Sequence, residues 1–404
     1  MKIAIYFESS PREGGAFHQN INLIKIFNKY LKKKFDFTYI VSSVELKKII
    51  EEQGCKTFFF KKNFFFRLDS FLLKFNFFKT LYKKFFIKNE LEKIYHKNKF
   101  NLIYFNNPSE ISLLASNINF IIMLFEMQHR TNNYLPEYKG FHDHDLREII
   151  IINAIHRAFK TIVATNKDKL LLQKFYNANE KSIEVQPYVP FLPDIYENSK
   201  NQDFNKIFLK LNIPKNKKIL LYPAQFWPHK NHGYIVKAAK TFKENNIEDV
   251  IFIFTGFDKG NLNFIKKNIA KENLEDYFKI FNYVDNLELI SLYLNCFAII
   301  SPTYVGHSTL PLYESFYFKK NIIFTKDLLD DSLKEFVYET DIMMPKDIFN
   351  KYNEILNNKT EALKKSDLAN KYYNEKCSEE KLANKYENIF NELKYLKSNW
   401  DEKI

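Results

Sequence analysis

Short runs of β-branched and aromatic residues alternate with amphipathic stretches along most of this chain. That alternation favours parallel sheets covered by helices, an α/β fold. Strand candidates fall at 2–6, 37–41, 102–105, 121–125 and 161–164, and a second series follows at 218–222, 250–255, 278–281, 298–301 and 322–324. Between the series lie residues 186–214, with Pro187, Pro190, Pro193 and Pro214, the best linker candidate. At 404 residues the chain suits two domains of ordinary size. The boundaries predicted are 1–199 for a first Rossmann-like domain, 200–375 for a second, and 376–404 for a terminal helix. In that helix Leu382, Tyr386, Ile389, Phe390 and Leu393 recur at helical spacing, so it must pack on something.

Several function classes are excluded early. The three cysteines, Cys55, Cys296 and Cys377, stand far apart in no ligand-like spacing, which argues against a disulfide framework or a zinc site and suits a reducing, cytoplasmic setting. The opening MKIAIYFESS lacks the apolar core of a signal peptide. The greasy stretch 111–125 is interrupted by Ser116, Asn117 and Asn119 and is shorter than the roughly 20 residues a spanning helix needs. A net charge of +13 calls for an anionic partner: nucleotide phosphates, an anionic membrane or nucleic acid. With no zinc-finger spacing, no RNP-like aromatic motif and no basic helix with a heptad, nucleic acid ranks last. The run HDHD at 142–145 contains metal-ligand types, but consecutive positions cannot all address one ion, so no metal is expected.

Glycine is scarce, with 8 in the chain, so its placement is informative. Gly14 and Gly15 follow the first strand candidate, Gly256 and Gly260 follow one of the second series, and Gly306 follows another. Ligands of open parallel sheets bind beyond the carboxyl ends of strands, where backbone must approach them closely. The segment SPTYVGHSTLPLYESF at 301–316 is the most telling. Gly306 permits a tight loop, Ser308 and Thr309 are good caps, Pro311 suits a first turn, and a helix should begin near Leu310 with its N-terminus free to hold a pyrophosphate. Glu314 is read as lying in that first turn. It could accept hydrogen bonds from ribose hydroxyls, or simply complement the helix dipole.

TYVGHSTLPLYES resembles the donor loop of glycosyltransferase family 4, the retaining group with the GT-B fold of two Rossmann-like domains facing each other across a cleft. LYPAQFWPHKNH at 221–232 is similar to the family's donor-domain opening, and EMQHRTNNYLPEY at 126–138 to its acceptor-side stretch. The resemblance implies an enzyme that moves a sugar from a nucleoside-diphosphate sugar to a glycan or lipid-linked glycan acceptor, without cofactor or metal, its terminal helix crossing back to the first domain. Carried over by position, Lys230 contacts the diphosphate, Glu314 the ribose, and the loop of Gly14 and Gly15 the approaching substrates. Gln225 stands where many relatives place an arginine, and Gly306 where many carry an acid. The family's site histidine falls at Phe125, four positions before His129, so His129 is the available candidate nearest the sugar. These departures keep open a catalytically degenerate nucleotide-binding subunit or another GT-B activity such as an epimerase.

Residues 56–88 hold nine basic residues against one acid, Asp69, interleaved with twelve phenylalanines. Leu68, Phe71, Leu72, Phe75, Phe78, Tyr82, Phe85 and Phe86 follow helical spacing, and Lys74, Lys83 and Lys84 could flank the stripe. Two readings remain: docking on an anionic membrane surface, which would make the enzyme peripheral on the inner face of the cytoplasmic membrane, or packing on the domain's own sheet.

Overall fold

The computed structural model describes residues 1–8, 15–85, 87–139, 144–214 and 216–400, and the chain forms two units. One comprises Met1–Thr131, Tyr138–Pro187 and Glu379–Ile404; the other comprises Asn132–Glu137 and Tyr188–Ser378. In the first, strands β1 (Lys2–Phe7), β2 (Asp36–Val41), β3 (Thr57–Phe59), β4 (Leu102–Phe105), β5 (Phe120–Met123), β6 (Lys160–Val163) and β7 (Ile183–Val185) form one sheet in the order β3-β2-β1-β4-β5-β6-β7. In the second, β8 (Lys218–Pro223), β9 (Val250–Thr255), β10 (Phe278–Phe281), β11 (Ala298–Ser301), β12 (Asn321–Thr325) and β13 (Tyr338–Thr340) are ordered β10-β9-β8-β11-β12-β13. Pairing is parallel throughout, so these are the two Rossmann-like units that the alternation predicts.

The apolar runs explain the layering. Along the second sheet Ile219, Leu221, Ile251 and Ile299 enter one core cluster, while Leu220, Tyr222, Phe252 and Ile300 enter another on the opposite face. A strand covered on both faces reads as unbroken hydrophobic sequence, as VIFIFT does with all six residues buried. All ten predicted strands form, their ends moved by a residue or two. Missed were β3, β7 and β13, each of three residues at the margin of its sheet. Three residues are too few to display a period of two.

Residues 186–214, read as a linker, instead carry the helices Leu192–Asn198 and Phe204–Lys210, with Leu192 fully buried. Pro193 lies in a first turn, where its missing N–H costs nothing, so here proline marks a helix start and not a loop.

The terminal helix Glu379–Lys397 belongs to the first unit and buries the predicted stripe of Leu382, Tyr386, Ile389, Phe390 and Leu393. Phe390 meets Phe27 and Phe35 edge-on at centroid distances of 5.9 and 5.3 Å, and the Tyr104 and Tyr386 hydroxyls are 2.6 Å apart. Lys29 and Lys34 pair with Glu379 and Glu387 at the rim. Burial of each large apolar side chain contributes about 1.5–3 kcal/mol, so the stripe outweighs these exposed ion pairs, worth about 0–1 kcal/mol each.

The phenylalanine-rich stretch does not form one helix. It breaks into Phe64–Leu72 and Asn76–Lys84; its buried apolar side chains are Phe60, Phe66 and Leu73, and Phe58 and Tyr82 pack against the same core. Phe86 lies outside the described residues.

Candidate functional site

In the second sheet the strand order reverses between β8 and β11, the point at which open α/β sheets open a crevice. The two strands pair only at Ala298↔Leu220 and Ile299↔Leu221, then separate towards their carboxyl ends. The loops that follow are stitched together: Asn231 Nδ2 donates to Pro302 O (3.1 Å), Thr303 Oγ1 to His229 O (3.1 Å) and Tyr304 N to His229 O (2.8 Å). Two helices start here, His232–Glu244 and Leu310–Tyr317. Asn231 takes the left-handed conformation (φ 56°) before the first, and Thr309 is extended before the second. Neither side chain caps its helix, so both N-termini keep donors and positive dipole ends for an anion.

Lys230 sits in the short turn Pro228–Lys230 immediately ahead of the first of these helices. Tyr222 OH fixes its carbonyl at 2.7 Å, but its ammonium has no hydrogen-bond or ion-pair partner among the described residues. Desolvation pushes its pKa down to about 8, against the opposing pull of Glu137. On the loops at the same sheet end, and among the described residues, Gln225 Nε2 and Thr309 Oγ1 are buried without hydrogen-bond partners, and Ser308 Oγ makes no well-formed hydrogen bond. Gln225 uses its other end to accept from Trp227 Nε1 (3.1 Å). Gly256 is required by close approach, since a Cβ there would lie 2.5 Å from Ala224 O and 2.8 Å from Gln225 Cα. Gly306 (φ +96°) is required by conformation.

Glu314 needs a correction. It is not in the first turn of its helix but is the fifth residue, one turn further in. It is buried, accepts from Tyr293 OH at 2.6 Å, and desolvation raises its pKa to about 7, with the tyrosine's hydrogen bond opposing. Dipole complementarity therefore does not explain it. The partner Tyr293 lies 21 positions away on the helix Asn286–Asn295, where no local pattern points to it. The expected caps are also only half right: the helix begins at Leu310 with Thr309 at its cap position, yet the hydroxyl makes no capping hydrogen bond.

The structure brings Lys230, Gln225, Gly256, Gly306, Ser308 and Thr309 to the carboxyl ends of one sheet, with Glu314 on the helix that starts there. His129 and Gly15 belong to the other unit, and Gly14 lies outside the described residues, as do His142 and Asp143. Gly15 opens the helix Gly15–Ile26 after β1. His129 is fully buried, with Nε2 2.6 Å from Glu148 Oε1, and burial lowers its pKa despite the acid. Glu148 also binds Arg130 and Tyr176 OH (2.6 Å), and although burial opposes it, these donors hold its pKa down to about 2. Phe125 is half-buried just past β5. Glu137 lies in the stretch EMQHRTNNYLPEY, but no local pattern there marks it as a site residue.

Residues 203–367 match the family described as Glycosyl transferases group 1. No curated protein sequence gives a significant match. Among solved structures, the chain is similar to a glycosyltransferase from Rickettsia africae ESF-5, with 16% identity, a TM-score of 0.71, and coverage of 97% of this chain and 98% of that one. It is similar to Anabaena Alr3699/HepE in complex with UDP and glucose, with 12% identity, a TM-score of 0.71, and coverage of 97% and 99%. A third is sucrose-phosphate synthase from Thermosynechococcus elongatus, with 14% identity, a TM-score of 0.72, and coverage of 98% and 99%. At such identities the likeness establishes the GT-B fold, and the chemistry has to be argued from the site.

Proposed function

We propose, from the premise that residues 203–367 form a group 1 glycosyltransferase domain, that this glycosyltransferase moves a sugar from a nucleoside-diphosphate sugar to a cell-envelope glycan with retention of configuration. The acceptor is a capsule or lipopolysaccharide chain or a lipid-linked precursor, and the reaction takes place on the cytoplasmic side. Lys230 carries the reading: a desolvated ammonium with no hydrogen-bond or ion-pair partner among the described residues, beside two uncapped helix N-termini. A half-buried ammonium with no ion-pair partner among the described residues is unfavourable, and a diphosphate relieves it. As the sugar departs, charge grows on the diphosphate, and the fixed lysine and dipole ends stabilise it, which favours front-face departure over a covalent intermediate. In this reading Glu314 faces the ribose, and Gln225, Ser308 and Thr309 supply donors.

Ligands that bind the folded state raise stability, by about 2.7 kcal/mol at a hundredfold excess over Kd. A thermal-shift panel of nucleoside diphosphates and their sugars is therefore the direct test. Alr3699/HepE was solved with UDP, which supports starting with UDP. If no member of the panel stabilises the protein, the reading fails. Stabilisation without hydrolysis or transfer to any acceptor would favour a degenerate partner subunit, the alternative raised by Gln225, Gly306 and Phe125.

We further propose that the first unit docks on an anionic membrane. Phe64, Phe65, Leu68, Phe71, Phe75, Phe77, Phe85 and Ile87 are all exposed, an apolar patch that a water-facing surface does not call for. Lys61, Lys83 and Lys88 are exposed around it, whereas Lys74 is paired with Glu110 and Lys79 is half-buried. Among the described residues no helix is long and apolar enough to cross a membrane. Basic groups near an anionic leaflet contribute about 1 kcal/mol each. Co-sedimentation with phosphatidylglycerol vesicles should weaken with salt and fall when Lys61, Lys83 and Lys88 become Glu. Equal recovery in the supernatant with neutral and anionic vesicles at low salt would leave the patch unexplained by lipid.

A further inference from the structure

The segment Asn132–Glu137 groups with the second unit, although the residues flanking it on the amino side and from Tyr138 onward belong to the first. It touches both loops of the crevice. Asn132 Nδ2 donates to Tyr304 O at 2.9 Å, and Glu137 Oε1 accepts from His229 N at 3.0 Å and lies 2.9 Å from His229 Nδ1. His229 is thereby held at its amide by Glu137 and at its carbonyl by Thr303 and Tyr304, and the next residue, Lys230, is held at its carbonyl by Tyr222. Glu137 Oε2 is buried and has no hydrogen-bond partner among the described residues. A largely buried carboxylate that spends one oxygen on the turn that carries Lys230 also brings its charge to that turn.

We propose that Glu137 is a positioning residue for the donor site: it fixes the turn that presents Lys230 and keeps a negative charge beside that lysine, so that the ammonium stays charged to meet the diphosphate. The proposal rests on the reading of Lys230 as the diphosphate's partner. Among the described residues, the other charged or titratable residues at this turn include His229 and His232 on the turn and the helix after it, Tyr222 from β8, Tyr304, whose amide meets the turn from the loop after β11, and Lys259, whose ammonium lies 5.7 Å from the Trp227 ring centroid. His232, stacked on Phe226 at 4.5 Å, has its pKa lowered to about 3 by burial and stays neutral, so Glu137 is the acid on which the lysine depends. Although burial alone would raise the Glu137 pKa, the His229 hydrogen bonds hold it below the usual carboxylate range, and it is ionised wherever Lys230 titrates.

The test uses the full chain labelled with [ε-¹³C]lysine, and Lys230→Arg to identify the Lys230 resonance. In Glu137→Gln the amide oxygen can still accept from His229 N–H, but the charge is gone, and the Lys230 titration midpoint should fall. Above the midpoint, each pH unit of that fall lowers the ratio of charged to neutral lysine about tenfold. A residue that only staples the loops would leave the midpoint where it is, and an unchanged midpoint in Glu137→Gln overturns the proposal. Affinity for UDP and GDP at pH 7 and 9 forms a separate arm, in which the loss at pH 9 should be steeper for Glu137→Gln than for wild type. If neither nucleotide binds the wild type while the midpoint still moves, the diphosphate reading of Lys230 fails and the coupling between Glu137 and Lys230 stands.

Discussion

Replacing Lys230 with methionine is expected to cut sugar transfer by about 10²–10³-fold, the usual effect of deleting a fixed transition-state donor, while making the ligand-free protein more stable at pH 7. The second half follows from linkage. The lysine has a pKa of about 8 in the folded protein and an ordinary value of 10.5 when free, so between these values the unfolded chain holds a proton that the folded one has released. Stability therefore rises with pH across that window, and below pH 8 the full penalty of desolvating the ammonium is present. For a half-buried group the gain on removing it is on the order of 2 kcal/mol after allowance for solvent screening. A transfer assay and a denaturation curve on the same sample check both parts. A Lys230→Met variant that is less stable and equally active would make the lysine a structural residue.

Replacing Glu314 with glutamine should flatten the dependence of stability on pH. In the folded state its pKa is about 7, against an ordinary 4.5, so between these values the folded protein holds a proton that the unfolded chain has lost. Stability falls as pH rises through that window, by about 3 kcal/mol in total, and the glutamine variant lacks that fall. Ribose hydroxyls donating to the ionised form would favour it, so nucleotide affinity should grow as pH rises through 7 and weaken above 8 as Lys230 is neutralised. The nucleotide's own phosphate ionises near pH 6, so the informative quantity is the difference between variant and wild type. Urea titrations at pH 5 to 8, with calorimetry of UDP binding at the same values, measure both. The same stability slope in both proteins would mean that another group titrates.

The two sheets were legible because each central strand is buried on both faces and announces itself as an apolar run, as in Val250–Thr255 and Ala298–Ser301. Marginal strands such as Thr57–Phe59 have neither the length nor the double cover to be read. Gly306 and the helix start at Leu310 were equally readable, since loop, cap position and helix are contiguous in sequence, whereas Lys230 came only with the family resemblance. What escaped were partners fixed by tertiary packing. Tyr293 reaches Glu314 from another helix, and Glu137 reaches His229 across 92 positions. The phenylalanine stripe was misread as one helical run, because the break around 73–75 and the inward residues Phe66 and Leu73 are set by the fold and look like their exposed neighbours in sequence.

The terminal helix Glu379–Lys397 also imposes an order of events on synthesis. Tyr386 meets Tyr104 across 282 positions, and Phe27 and Phe35 are covered only once Phe390 exists. Tyr188–Ser378, by contrast, is continuous and has all six of its strands in hand before that helix emerges. Closing a loop of that length before any contact rewards it makes the contact late and slow. The unit whose residues leave the ribosome first is therefore completed last, and through most of translation it presents an uncovered aromatic face of the kind that chaperones engage and aggregation exploits.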